Sequence, residues 1–258
     1  RNFYKVGIVL LSLGLLYEWS SEKRNASIQK QLVLAAGQSG LFGDDLVLIE
    51  SEELIVAVAT KTGAIVETRL KKHLVENIEG SLGFRVFGQS NESAFNYYFK
   101  SGFTNTNPSY VLVERGDDFV TLYDGVLDIT KTISFLPSPY EISVYDHSSK
   151  GVNGKSYAGL YRTEGRALDL KRDALSGGMM NNSSYEGVAI STESDPYETY
   201  RLRSVDEPVE VLSRSGWVAF IQKYFFAALL GSDEYIYNYY VLPKDSGLYR
   251  MGYTVEGS

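Results

Sequence analysis

The chain has 258 residues, a formal net charge of -7, a sequence pI near 5.0 and no cysteine. The acidic balance leaves no basic face to neutralise phosphates and excludes nucleic acid as a partner. The lack of cysteine excludes a disulfide-stapled framework and every thiolate site, and an exported domain without disulfides fits a bacterial periplasm.

The first element is an apolar run from Phe3 to Trp19, opened by Arg1 and Lys5 and closed by Tyr17 and Trp19. As a helix it spans roughly 26 Å, close to the ~30 Å hydrocarbon core, and Lys5 and Glu18 lie near its ends, where polar tips reach headgroups. Phe3, Ile8, Leu11, Leu15, Tyr17 and Trp19 are the expected anchor residues, with the aromatic pair at the far interface. Basic residues precede the run, so the expected topology is a cytoplasmic N-terminus and an exported body. A cleavable signal peptide is the weaker reading, because no Ala-x-Ala site follows.

Residues 20–43 read as a tether: polar first, mildly apolar over Leu32–Ala36, then broken by Gly37, Gly40 and Gly43, with room for a short helix. Beyond Asp44 the pattern turns strand-like. Strands are predicted over Leu46–Glu50, Leu54–Thr60, Ala64–Leu70, Tyr110–Arg115, Phe119–Tyr123, Leu127–Leu136, Tyr140–Asp146, Tyr157–Tyr161, Tyr197–Leu202, Tyr235–Leu242 and Leu248–Val255, with turn residues between them. The 20 tyrosines favour the same reading. Thr62-Gly63 has the chemistry of a hairpin turn, and Pro137-Ser138-Pro139 joins two longer alternating runs. Strands in succession imply antiparallel sheets stacked as a sandwich over residues 44–258. The segment Ser176–Ser184 reads as a loop whose Met179-Met180 pair is a small apolar plug.

One stretch, Ser215–Gly231, departs from that pattern. Trp217, Phe220, Ile221, Tyr224, Phe225 and Leu229 recur at three-and-four spacing, Ser213 or Ser215 can cap the start, and Gly231 stands at the C-cap position. The expectation is a buried helix on the sheet, apolar nearly all round. Trp217, Phe220, Ile221, Tyr224, Phe225 and Phe226 are its candidate contact residues, and Phe226 lies beside Gln222 and Lys223.

Templates for catalysis and metal binding fail. His73 and His147 stand alone, and Asp146 next to His147 points to the opposite face of a strand. Carboxylate pairs such as Glu52-Glu53 and Asp117-Asp118 fall in predicted turns, and no phosphate loop or nucleophile elbow occurs. No catalytic, cofactor or metal residue is expected. Two classes remain: an anchored interaction domain, and a periplasmic carbohydrate-binding or epimerase-like sandwich.

The N-terminal apolar run, Val58-Ala59-Thr60-Lys61-Thr62-Gly63-Ala64-Ile65-Val66-Glu67, Thr130-Lys131-Thr132-Ile133-Ser134-Phe135 and Gly187–Thr192 leading to Tyr197–Tyr200 resemble YidC-type bacterial membrane-protein insertases. The block Ser215–Phe225 is the most specific of these matches. The resemblance covers the first transmembrane helix and the large first periplasmic domain. It implies an all-β antiparallel β-supersandwich with one helix near its C-terminal end, preceded by a single transmembrane helix. It implies a role in inserting and folding nascent inner-membrane proteins, alone or with the Sec translocon, in the bacterial inner membrane, with the lipid bilayer contacted through the N-terminal helix. The family's intramembrane groove lies in helices beyond Ser258, so no insertase site is expected in this chain. The family's domain also continues past that point, and an unpaired strand edge is expected there.

Overall fold

The computed structural model describes residues 45–74, 83–88, 95–164, 187–221 and 225–256. The expected anchor, the tether and the Met179-Met180 plug lie outside these residues.

Nine strands form the largest sheet. They are β1 (Leu46–Glu50), β2 (Leu54–Ala59), β3 (Ala64–Leu74), β4 (Gly83–Phe87), β5 (Phe95–Phe103), β10 (Ser156–Glu164), β13 (Val209–Ser213), β16 (Ile236–Asp245) and β17 (Leu248–Glu256). Their order is β1-β2-β3-β5-β10-β17-β16-β13, with β4 paired to β3 off this path. A second sheet is a four-strand meander of β6 (Val111–Arg115), β7 (Phe119–Asp124), β8 (Ile129–Phe135) and β9 (Ile142–Ser148). The third contains β11 (Gly187–Ser191), β12 (Glu198–Tyr200), β14 (Gly216–Ile221) and β15 (Phe226–Gly231), in the order β12-β11-β14-β15. Every pairing is antiparallel, as expected for strands that follow one another without crossover helices.

Both small sheets pack on one face of the large one and share its core. Ile49, Val56, Val58, Phe99, Leu160 and Met251 of the large sheet meet Val120, Leu122 and Ile133 of the meander and Val188, Ile190, Val218 and Phe220 of the third sheet. All of these side chains are buried. At about 25 cal/mol per Å² of apolar surface, each contributes on the order of 1.5–3 kcal/mol. In β8 the burial alternates, with Ile129, Lys131 and Ile133 inward and Thr130 and Thr132 turned outward. In β2 all six residues are buried, so both faces of that strand are covered. The turn expected at Thr62-Gly63 joins β2 to β3, and Gly63 takes a left-handed φ of 64°.

The helix expected over Ser215–Gly231 is absent. Its residues form two paired strands, from Gly216 opposite Gly231 to Ile221 opposite Phe226, with residues 222–224 outside the described set. The reason is physical: both faces of this hairpin are apolar, so two strands read as one apolar run and satisfy a helical spacing by density alone. Gly231 is a ladder position rather than a helix cap, and a Cβ there would overlap the Tyr239 hydroxyl. A Cβ at Gly216, whose φ is 129°, would overlap the Ser191 carbonyl. Among the described residues the helical element is a single 3-10 turn at Leu202–Ser204. Near the chain end β17 pairs with both β10 and β16, and among the described residues the path of the large sheet ends at β1 and β13.

Candidate functional site

Strand alternation divides the candidate contact residues between two environments. Phe220 points into the core at 1% exposure and meets Tyr97 edge-on at 5.7 Å. Trp217 and Ile221 fall on the outer face, opposite Leu230 and Phe226 respectively, and Ala219 opposite Ala228 lies between these pairs. Phe226 and Leu230 are 70% and 67% exposed. Tyr197, also exposed, approaches Trp217 at 6.2 Å. On the outer face of the hairpin Phe226 and Leu230 are thus open to solvent, whereas Ala219 between them is buried at 1% exposure. Phe225 is half-buried, stacked on Phe84 at 4.3 Å and edge-on to His73 at 6.2 Å, which ties the hairpin to β3 and β4. Tyr224 and the anchor residues Phe3, Ile8, Leu11, Leu15, Tyr17 and Trp19 lie outside the described residues.

A second arrangement escaped the sequence reading. Lys131 has no exposed side-chain surface, and its Nζ lies 2.6 Å from Asp146 Oδ1. The ammonium donates to Ser101 Oγ at 2.7 Å and to the Ser101 carbonyl at 3.1 Å, while the Ser101 hydroxyl donates to Asp146 Oδ2. The Tyr110 ring lies 5.9 Å from Nζ. Burial pushes the Lys131 pKa down, opposed by the Asp146 charge. A serine beside a lysine is the starting constellation of an activated nucleophile. Here it is sealed between β5, β8 and β9 and lies against a carboxylate, so its chemistry is that of a polar pin joining two sheets. Its sequence signal was a lysine at the inward position between Ile129 and Ile133.

Glu67 forms a comparable structural cluster. Its carboxylate is 1% exposed and accepts from Arg69 Nε at 2.8 Å and Arg85 Nε at 3.0 Å, and Arg69 also donates to the Gly83 carbonyl at 3.2 Å. Burial pushes the Glu67 pKa up and the Arg69 pKa down, each opposed by the partner charge. These bonds tie β3 to β4. His73 and His147 are both exposed and stand in different sheets; His147 stacks on Tyr145 while Asp146 turns inward to Lys131. Among the described residues no group of three or more His, Cys, Asp or Glu could hold a metal.

Comparison with known proteins finds relatives along most of this chain. Membrane protein insertase YidC from Azotobacter vinelandii is 27% identical over 237 residues, covering 82% of this chain and 41% of the relative. Proteins of the same name from Coxiella burnetii and Pseudomonas putida are 28% and 27% identical, over 81% of this chain and 40% of theirs. The chain thus spans about two fifths of the length of the curated relatives it matches. Among solved structures, a galactose mutarotase related enzyme from Lactobacillus acidophilus aligns at 9% identity and a TM-score of 0.36, covering 83% of this chain and 86% of that one, a likeness too distant to carry an argument. The family model described as the YidC periplasmic domain matches residues 46–257, almost the whole described sandwich, and the chain belongs to that family.

Proposed function

We propose that this chain is the anchor and exported domain of a membrane protein insertase, with residues 1–19 in the bacterial inner membrane, 20–43 as a linker and 44–258 in the periplasm. The N-terminus faces the cytoplasm. The domain acts as a scaffold and contact surface while nascent inner-membrane proteins are inserted and folded, alone or with the Sec translocon. The observation that carries this reading is the family match over residues 46–257. The surface proposed for contact is the outer face of β14 and β15, where Phe226 and Leu230 are exposed. The domain performs no catalysis of its own: its nucleophile-like cluster is closed to solvent at Lys131, and its two histidines are exposed and separate. The family match also favours this reading over the carbohydrate-binding or epimerase-like alternative.

Complementation tests the proposal. A gene encoding this chain joined to its downstream helices should rescue a bacterium depleted of its insertase. Phe226→Asp combined with Leu230→Asp should weaken that rescue while protein abundance and thermal unfolding stay unchanged. Full rescue by the double variant would remove the contact surface from the proposal, and failure of the unaltered gene would remove the insertase assignment.

A further inference from the structure

The meander carries an overhanging edge. Among the described residues β6 pairs with β7 alone, and β6 ends that sheet. In β7 alternate residues are buried, whereas all five residues of β6 are exposed. Leu112 lies opposite Leu122 and so shares its core-facing side, yet Leu122 is fully buried while Leu112 is 45% exposed. β6 therefore projects past the core with both of its faces in water. Val111 and Val113, each 61% exposed, complete an apolar run along it. A free edge is normally guarded by charge, proline or shortness, because its unpaired N–H and C=O groups accept another strand. Here the register shifts between Leu112 and Glu114, leaving Val113 as the extra residue of a β-bulge, and the charged pair Glu114-Arg115 follows. Bulge and charges confine the unguarded stretch to residues 111–113, which admits a short added strand and not a propagating sheet.

We propose that β6 receives a short extended segment of another protein, added antiparallel beside it, in which basic residues precede an alternating apolar run. The charges along the edge set both this chemistry and its direction. At the C-terminal end of β6 stand the exposed carboxylates of Glu114, Asp117 and Asp118, against the single cation of Arg115. At the other end Tyr110 donates its backbone N–H to the carbonyl of Lys61 at 3.0 Å, which places an exposed lysine there. Roughly 13 Å of strand separates Tyr110 from Glu114, more than the ~8 Å screening length at physiological salt, so the two ends act as separate charges. An antiparallel strand presents its N-terminal end to the acidic end of β6, so its basic residues come first and an acidic residue last. A second copy of this chain fits less well, since it sets one net charge of -7 against another. β6 belongs to the meander and not to the sheet of β14 and β15, and its pairing does not depend on the insertase reading.

Fluorescence anisotropy of a fluorescein-labelled octapeptide, KKTVTVTE, titrated with the full chain tests this pairing. Saturable binding is expected, weakening at least about tenfold as NaCl rises from about 50 to about 500 mM. Val111→Lys and Val113→Lys, each at an exposed side chain, should each weaken binding at least about tenfold while thermal unfolding stays unchanged. Asp117→Lys with Asp118→Lys should reject this peptide and instead take its counterpart EETVTVTE. Deuterium exchange at the amides of residues 111–115 should slow when the peptide is bound, as added backbone hydrogen bonds require. No binding by the unaltered chain, binding indifferent to both lysine variants, a peptide preference that the charge reversal leaves unchanged, or unaltered exchange in β6 would overturn the proposal. A dimer in sedimentation that Val113→Lys dissolves, with no peptide bound, would overturn it too and assign the edge to a second copy.

Discussion

Lys131 occupies a position where strand alternation asks for an apolar side chain, between Ile129 and Ile133 on the inward face of β8. Its charge is tolerated because Asp146 and Ser101 satisfy it within hydrogen-bond distance. Removing one partner of such a pair leaves a buried uncompensated charge, so Lys131→Met should destabilise the domain by about 3–5 kcal/mol in urea unfolding. The double variant Lys131→Met with Asp146→Leu should recover most of that loss, since a well-packed apolar pair can replace a buried ion pair. Non-recovery would mean that the pin holds the sheets together by more than its charges. The pH dependence has a definite sign. The folded-state pKa is depressed, so just below the unfolded value the unfolded chain binds more protons, and the Lys131 contribution rises with pH there. Lys131→Met should flatten that rise.

At the scale of elements, the hairpin of β14 and β15 separates stability from contact. Phe220→Ala should cost about 3–5 kcal/mol, because its ring is fully inside the core. Phe226→Ala should stay within about 0.5 kcal/mol, because its ring is mostly in water. Thermal unfolding of the full chain distinguishes them, and equal losses would place Phe226 in the core. This hairpin also marks where sequence reading ran out. β1, β2, β3 and the meander were legible because each has polar punctuation and, in β7 and β8, a clean two-residue alternation. The stretch Trp217–Leu230 has neither, since strands covered on one face and apolar on the other lose their alternation. The Gln222-Lys223 dipeptide, which served as the polar side of the expected helix, instead falls between the two strands. β5 was missed for a related reason: Tyr97, Tyr98 and Phe99 are all buried although they face alternate sides. The Lys131 cluster escaped the sequence reading because Lys131 and Asp146 stand 30 and 45 residues from Ser101.

At the scale of the whole molecule, tyrosines set the alkaline limit. Burial pushes Tyr98, Tyr157 and Tyr253 each up to about 12 in the folded state. Unfolding releases them to ionise near 10, so their contribution is complete below about pH 10 and lost as pH climbs toward 12. Stability measured in urea should therefore fall across that interval, together with a tyrosinate absorbance step at the unfolding transition. Ionisation of all tyrosines at pH 10 in the folded protein would contradict the assignment. Topology is tested by Ser20→Cys and Ser246→Cys in intact spheroplasts, where an impermeant thiol reagent should modify both; protection of both would reverse the orientation. The position of β17 has a further consequence, one of timing. The meander is drawn from one contiguous stretch, residues 111–148, and can close as soon as that stretch emerges. The large sheet cannot close then, because residues 248–256 insert between β10 and β16. A chain that emerges from its N-terminus thus keeps β10 unpaired on one side until residues 248–256 have emerged as well, so the meander can form well before the large sheet closes.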